Sequence, residues 1–224
     1  MIIKKYKATI LAIENKIEGV YTLTLTSEKG RFKYTPGQFL HFAIETEYDG
    51  ASQWPDSRCF SLQSSPDEDN IKITYAVKGE FTRKMEQTLK IGSEVWVKMP
   101  YGELFENEHN KTNTVFIAGG TGVTPFLSLF TDKSFEEYIN PRIYLGFRSR
   151  EYNLYESELN NAKNSNINLQ YTYNELIDIE KIFFENGIDA SYFISGPPIM
   201  IKLFKNYLLS KHVDNTNILT DDWE

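Results

Sequence analysis

A single cysteine, Cys59, stands among 224 residues. That excludes an intramolecular disulfide and, from this chain alone, an iron–sulfur cluster or a cysteine zinc site. Histidine is nearly as scarce. His41, His109 and His212 are scattered without metal-ligand spacing, so no metal is expected. Positive charge is also short: 24 Lys and Arg face 31 Asp and Glu, for a net charge of −7. Phosphate backbones are bound through a cationic excess, so the balance argues against a nucleic-acid partner. No apolar run approaches the roughly 20 residues needed to span a bilayer. The opening Met1-Ile-Ile-Lys-Lys-Tyr6 lacks an apolar stretch followed by a small-residue cleavage site. A cytoplasmic protein without a membrane partner is therefore expected, and nothing in the sequence asks for more than a monomer.

The chain divides by texture. In the first half, short segments alternate with period two: residues 21–26, 38–44, 71–77 and 94–99. Glycine and proline punctuate them, at Pro36-Gly37, Gly79, Gly92 and Pro100 among others. Only residues 82–89 look helical. This pattern predicts a closed antiparallel barrel or a sandwich. From about residue 113, compact apolar strands at 114–118, 142–147, 167–173 and 191–194 alternate with helices near 125–130, 155–162, 177–185 and 198–210, and a short strand at 217–220 closes the run. Such alternation predicts an α/β doubly wound parallel sheet covered on both faces. The polar stretch 106–113 marks the boundary, giving domains 1–108 and 109–224.

Ala118-Gly-Gly-Thr-Gly-Val-Thr-Pro125 is the sharpest local feature. It follows a buried strand and opens a helix. Glycines let backbone approach an anion, and a helix start offers free N–H groups. It is neither a Gly-x-Gly-x-x-Gly fingerprint nor a P-loop, so a tight turn without a ligand stays open beside the anion cradle. Ser195-Gly-Pro-Pro-Ile-Met200 repeats the geometry at the end of the fourth strand. Both turns fall at carboxyl ends of parallel strands, where doubly wound folds bind ligands. In the first half, Arg58-Cys-Phe-Ser61 combines a guanidinium suited to a phosphate with an aromatic face and a hydroxyl. Four isolated residues equally describe an exposed arginine beside a strand. Thr82, after Lys78-Gly-Glu-Phe81, reads as a helix N-cap.

Seven motifs occur in one order: Pro36-Gly-Gln-Phe39, Arg58-Cys-Phe-Ser61, Gly79-Glu-Phe-Thr82, Pro100-Tyr-Gly-Glu-Leu-Phe105, Gly119 to Pro125, Ser195 to Met200 and an aromatic near the C-terminus. Together they resemble the ferredoxin–NADP reductase superfamily of flavoproteins, in its flavin reductase and oxygenase-reductase branch. The resemblance runs from about Tyr6 to Trp223. It implies an antiparallel β-barrel domain for FAD, then a nicotinamide-nucleotide domain, with the two rings meeting between them. FMN stays open, although residues 79–82 and the helix after them suit the FAD pattern.

Carried onto this chain, the resemblance puts Arg58 on the flavin diphosphate, Phe60 against the isoalloxazine and Ser61 near flavin N5. Thr82 would bind the pyrophosphate, with backbone help from Gly79, Glu80 and Phe81. Cys59, the residues from Gln63 to Ser65, and Tyr75, Ala76 and Val77 line the flavin site, although Cys59 itself reads as a small packed residue on the far side of its strand. Gly120, Thr121, Gly122 and Thr124 would hold the nicotinamide nucleotide, with Ser195, Gly196 and Pro197 flanking its ring. Ser195 stands where the family usually has cysteine, and Asp221 where it has glutamate two residues before the terminal aromatic. Trp223 would stack on or beside the flavin. Ser61, Ser195, Asp221 and Trp223 are thus the candidate catalytic residues. Tyr171-Thr-Tyr-Asn174 has no arginine for a 2′-phosphate, which leans towards NADH; Arg148 and Arg150, after the second nucleotide-domain strand, could serve instead. Tyr48 or Trp54, in the loop 45–56, could cover a flavin adenine or simply lie on the surface. His41 reads as structural.

The implied function is a flavin-dependent oxidoreductase. It takes a hydride from NADH or NADPH onto FAD and passes electrons to a separate ferredoxin, flavodoxin or oxygenase component. Hydride transfer asks for positioning and water exclusion rather than an acid–base triad, and the sequence shows no triad. The alternatives are a free-flavin reductase and a non-catalytic electron-transfer subunit of a larger complex.

Overall fold

In the computed structural model, which describes residues 2–28, 30–45 and 47–221, the chain forms two compact units, 1–103 and 104–224. The first unit begins with β1 (Lys4–Ile17), a 14-residue strand that pattern reading does not anticipate. Its inward residues are Tyr6, Ala8 and Ile10, while Lys5 and Lys7 alternate outward, so the apolar signal is diluted by lysine and by one small side chain. There follow β2 (Val20–Ser27), β3 (Phe39–Ala43), β4 (Arg58–Ser61), β5 (Ile71–Ala76), α1 (Glu80–Thr88) and β6 (Glu94–Tyr101). They form one antiparallel sheet in the order β4-β3-β6-β1-β2-β5. Just past β4, the Gln63 N–H donates to the Lys72 carbonyl of β5 at 2.9 Å, so the two ends of the sheet curl together into a nearly closed barrel. Leu23, Leu40, Phe42, Ile73, Val95 and Val97 fill its interior, and Phe81 and Met85 of α1 join this core. Closure leaves few unpaired edges, which is how small antiparallel sheets avoid aggregation.

The second unit is a parallel sheet in the order β11-β10-β7-β8-β9. Its strands are β7 (Thr114–Gly119), β8 (Arg142–Phe147), β9 (Asn168–Tyr173), β10 (Ser191–Ser195) and β11 (Ile218–Thr220). The helices are α2 (Thr124–Phe130), α3 (Glu156–Asn160), α4 (Ile179–Asn186) and α5 (Pro198–Ser210). One sheet face, with Phe116, Leu145 and Phe193, packs against α2 and α3; the other, with Val115, Ile117 and Ile194, packs against α4 and α5. Burial on both faces explains why the central strands β7 and β10 read as compact apolar runs. α3 is shorter than the sequence implies, and α4 starts later, at Ile179, because Asp178 caps it by accepting from the Lys181 N–H at 3.0 Å.

Candidate functional site

The first unit gathers its candidate residues around the start of α1. β4 delivers Arg58 there, and its guanidinium lies 4.9 Å from the centre of the Phe81 ring. Its Nη1 donates to Asp56 at 2.6 Å and to the Ser57 carbonyl at 2.7 Å, so the fork is held at the end of the strand. α1 itself begins at Glu80, with Gly79 as N-cap; Thr82 is its third residue, not the cap that the sequence suggests. The Thr82 hydroxyl accepts from the Lys78 and Gly79 N–H groups at 3.0 and 3.1 Å, tying down the chain just ahead of the helix. The first bond inside the helix runs from the Arg83 N–H to the Gly79 carbonyl, so the N–H groups of Glu80, Phe81 and Thr82 have no partner within it. A guanidinium beside three such N–H groups and a positive dipole end is a fit for a diphosphate.

Phe60 is half-buried between Phe42 and Tyr75, each 6.0 Å away, and Tyr75 stacks on Tyr21 at 5.3 Å. Burial pushes the Tyr75 hydroxyl well above its ordinary range, so it stays protonated. Val77 leaves β5 with its N–H on the Gly19 carbonyl at 2.8 Å. Ser61 is 8 % exposed at the end of β4. Cys59 turns to the other face of that strand, opposite His41 in register, with Sγ 3.7 and 3.8 Å from the two ring nitrogens. Burial raises the thiol pKa and outweighs the nearby Arg58, which lowers it. Cys59 is therefore a packed thiol and not a ready thiolate. His41 is also lowered, by burial first and then by Lys98, and packs edge-on to Tyr101 at 4.6 Å. Tyr48 folds against Trp96, and its hydroxyl receives the Lys5 ammonium and donates to the Ser52 carbonyl. Trp54 packs on Tyr48 and lies 5.9 Å from the Lys98 ammonium.

In the second unit, the two glycine turns meet. A Cβ placed on Gly122 would lie 2.5 Å from the Gly196 Cα and 2.6 Å from its nitrogen. Gly196 has φ +146°, and a Cβ there would lie 3.0 Å from the Gly119 nitrogen. Backbone thus rests on backbone, with room for no side chain. The turn after β7 is a 3₁₀ segment, Gly120–Val123, before α2, with Pro125 in the first turn of that helix. Thr124 is buried, and its hydroxyl donates to the Thr121 carbonyl at 2.9 Å, so on this turn it is Thr121 that keeps a half-exposed side chain. Gly120 has open space where a Cβ would be. Ser195, 1 % exposed, donates its hydroxyl to the Asp221 carboxylate at 2.9 Å, and the Asp221 N–H donates to the Ile194 carbonyl at 2.9 Å. Trp223 lies outside the described residues.

Beyond β8, Arg148 and Arg150 lie over the rings of Tyr152 and Tyr173, 5.4 and 5.8 Å from their centres. Tyr173 and Tyr171 stack at 5.7 Å, and the Tyr173 hydroxyl accepts from Asn153 Nδ2 at 3.2 Å. Asp56, which holds Arg58, and Tyr152, under Arg148, are neighbours that sequence reasoning did not single out. Asp56 was legible, two residues from Arg58; the pairing of Arg150 with Tyr173 joins the short turn after β8 to the end of β9 and has no local signal.

Comparison with known proteins agrees with this layout. Residues 3–125 match the FAD-binding domain family, and residues 116–206 match the oxidoreductase NAD-binding domain family. The first match covers more than half of the chain, which therefore belongs to that family. The reductase component of propane 2-monooxygenase from Mycolicibacterium smegmatis is 29 % identical over 154 residues, covering 66 % of this chain and 42 % of that protein. A component of the Na(+)-translocating NADH-quinone reductase from Haemophilus influenzae is 23 % identical over 279 aligned positions, covering 99 % of this chain and 67 % of that component. The chain thus spans less than half the length of the propane 2-monooxygenase reductase. Among solved structures, the ferredoxin reductase in carbazole 1,9a-dioxygenase superposes with a TM-score of 0.80 at 17 % identity, over 100 % of this chain and 70 % of that one. A ferredoxin NADP+ reductase from Neisseria gonorrhoeae, with bound FAD and NADP, gives 0.77 at 15 % identity, over 97 % and 96 %. These likenesses show the shared fold.

Proposed function

We propose that this member of the FAD-binding oxidoreductases takes a hydride from a nicotinamide nucleotide onto FAD and passes the electrons to a separate acceptor protein. What carries the reading is one combination: a guanidinium beside free N–H groups at the start of α1, and two glycine turns locked backbone to backbone at the carboxyl edge of the parallel sheet. Bound FAD would supply a two-electron acceptor that can release its electrons singly. The protein's part is to hold and orient. Arg58 and the N–H groups of residues 80–82 would bind the flavin diphosphate, and Phe60 and Tyr75 would offer aromatic surface to the ring system. Ser61 would stand near the reacting nitrogen. The nucleotide would lie along Gly120, Thr121 and Gly122, with Gly196 and Pro197 beside its nicotinamide.

Ser195 has a defined polarity. A carboxylate can only accept, so the Ser195 hydroxyl proton points to Asp221 and its oxygen presents lone pairs. That oxygen is buried, so Ser195 would support the turn that carries Gly196 and Pro197 rather than meet the nucleotide itself. Asp221 acts through Ser195 and is a positioning residue.

The reductase component of a monooxygenase among the relatives supports an oxygenase component as acceptor. The relative named as one part of a larger reductase favours the second reading, an electron-transfer subunit with little turnover alone. The test is anaerobic titration of the purified flavin-bearing protein with NADH and with NADPH, followed by gel filtration. Stoichiometric bleaching of a retained flavin supports the reductase. Turnover only with added free flavin identifies a free-flavin reductase, and no bleaching by either nucleotide refutes the proposal.

A further inference from the structure

We infer that the outer face of α4 and α5 is the contact surface for a second copy of this chain, with α4 of each copy lying on α5 of the other. The inference is independent of the hydride-donor reading above, and it replaces the expectation of a monomer. Both helices cover one face of the parallel sheet, side by side, with the Phe183 and Tyr207 rings edge-on at 6.2 Å. α4 turns Ile182 and Asn186 inward, which leaves Phe184 on its outer side, 89 % exposed. α5 turns Ile201, Phe204 and Leu208 inward, and Ile199 and Leu203 are left outward at 65 % and 57 %. Among the described residues, six of the twelve large apolar side chains left exposed belong to α4, α5 or the residues beside α4. A single exposed apolar side chain needs no explanation, but a cluster on adjoining helices marks a surface that another molecule covers.

The charges select that molecule. Residues 175–189, which contain α4, carry Glu175, Asp178, Glu180, Glu185 and Asp189 against Lys181 alone, for a net 1 − 5 = −4. Residues 198–211, which contain α5, carry Lys202, Lys205 and Lys211 and no acid, for a net +3. Two of the acids are used locally: Asp178 caps α4, and Glu185 accepts from the Tyr144 hydroxyl at 2.8 Å. Among the described residues, Glu175, Glu180, Lys202 and Lys205 have no ion-pair partner within 4.0 Å. An acidic protein or an anionic lipid surface would suit α5 and be repelled by α4, and a basic partner would meet the reverse. A second copy presents both signs in the same arrangement. α4 and α5 are crossover helices of a parallel sheet, so they run in the same direction. A two-fold axis along them and between them sets each acidic helix on the other copy's basic one, and gathers Phe184, Ile199 and Leu203 of both copies into one apolar patch. An axis across the helices would set like on like. The contact is isologous and closes at two copies.

Sedimentation velocity of the purified protein, from about 1 to about 200 μM, tests this. A face of two short helices is small for an interface, so a reversible dimer with a dissociation constant on the order of micromolar is expected, weakening as salt rises. Phe184→Ser should weaken it at least about tenfold. Glu175→Lys/Glu180→Lys and Lys202→Glu/Lys205→Glu should each be monomeric alone, because each sets like charges together at both halves of the contact. Mixed in equal amounts, the two reversed proteins should form a dimer again, since every acidic helix then meets a basic one. Unfolding midpoints near that of the wild-type protein establish that the variants fold. A monomer at every concentration overturns the inference, and binding of that monomer to phosphatidylserine vesicles would give the face to lipid. A dimer that survives either charge reversal, or is unmoved by Phe184→Ser, lies on another surface and overturns it too. Failure of the mixed reversals to reassociate rules out the pairing of α4 with α5.

Discussion

Replacing Arg58 by alanine tests the flavin site most directly. In the structure, Arg58 pairs with Asp56 at 2.6 Å, but the two side chains are 52 % and 74 % exposed. Such a pair contributes about 0–1 kcal/mol to folding. Contact with a diphosphate is a charge-assisted bond beside a helix N-terminus, at about 1.5–3 kcal/mol. Binding FAD would draw the guanidinium from Asp56, so up to about 1 kcal/mol is given back. The net loss in Arg58→Ala is then about 0.5–3 kcal/mol, or about 2- to 150-fold in the FAD dissociation constant. Some affinity survives, because the N–H groups of residues 80–82 remain. Arg58→Lys keeps the charge but loses the fork and its place over Phe81, and should fall between. Asp56→Asn removes a competitor for the guanidinium and should tighten FAD by up to about fivefold. The assay is fluorescence titration of FAD into the flavin-stripped protein, with thermal unfolding of that stripped form in parallel. The expected pattern is weaker binding with a nearly unchanged midpoint. An Arg58→Ala dissociation constant within twofold of wild type would refute the reasoning.

Three further outcomes follow from geometry. Gly122→Ala puts a methyl group 2.5 Å from the Gly196 backbone, which has no rotamer with which to yield; it should cost at least about 1–3 kcal/mol by denaturant unfolding and abolish nucleotide binding, and a neutral result would mean that the turns do not touch. Ser195→Ala removes a buried donor to Asp221 and should destabilise the protein by about 1–3 kcal/mol while raising the half-saturating nucleotide concentration; a change below about 0.5 kcal/mol would show that the bond carries nothing. His109 is lowered from 6.5 by burial first, with Lys111 adding to the shift and the Asn107 carbonyl opposing it. The unfolded chain therefore takes up the proton first, so stability present above about pH 6.5 is lost as pH falls, and the loss should be shallower in His109→Gln when unfolding is followed at several pH values.

Much of this fold is written in local pattern. The central parallel strands announce themselves because both faces are buried, and residues 115–118 contain nothing that water would favour on either side. β1 is hidden for the opposite reason: its solvent face is lysine, and Ala8 is too small to register as a core residue. The start of α1 lies two residues earlier than its pattern suggests, because a threonine hydroxyl can satisfy backbone N–H groups from the third position as well as from the cap. At the candidate site, Arg58, Ser61 and the glycine turns stand out as residue types in a fixed order. What the order cannot convey is whom each side chain faces. Tyr48 turns to Trp96, Thr124 to its own turn, Cys59 to His41, and Arg150 to a tyrosine at the end of β9.

The contact between Gly122 and Gly196 also bears on how such a protein can change. Two loops that share a backbone surface are a single mechanical part: a substitution that reshapes one must reshape the other, and most single changes will only break the pair. A library of single substitutions through the two turns would return mostly failures at 119, 122 and 196.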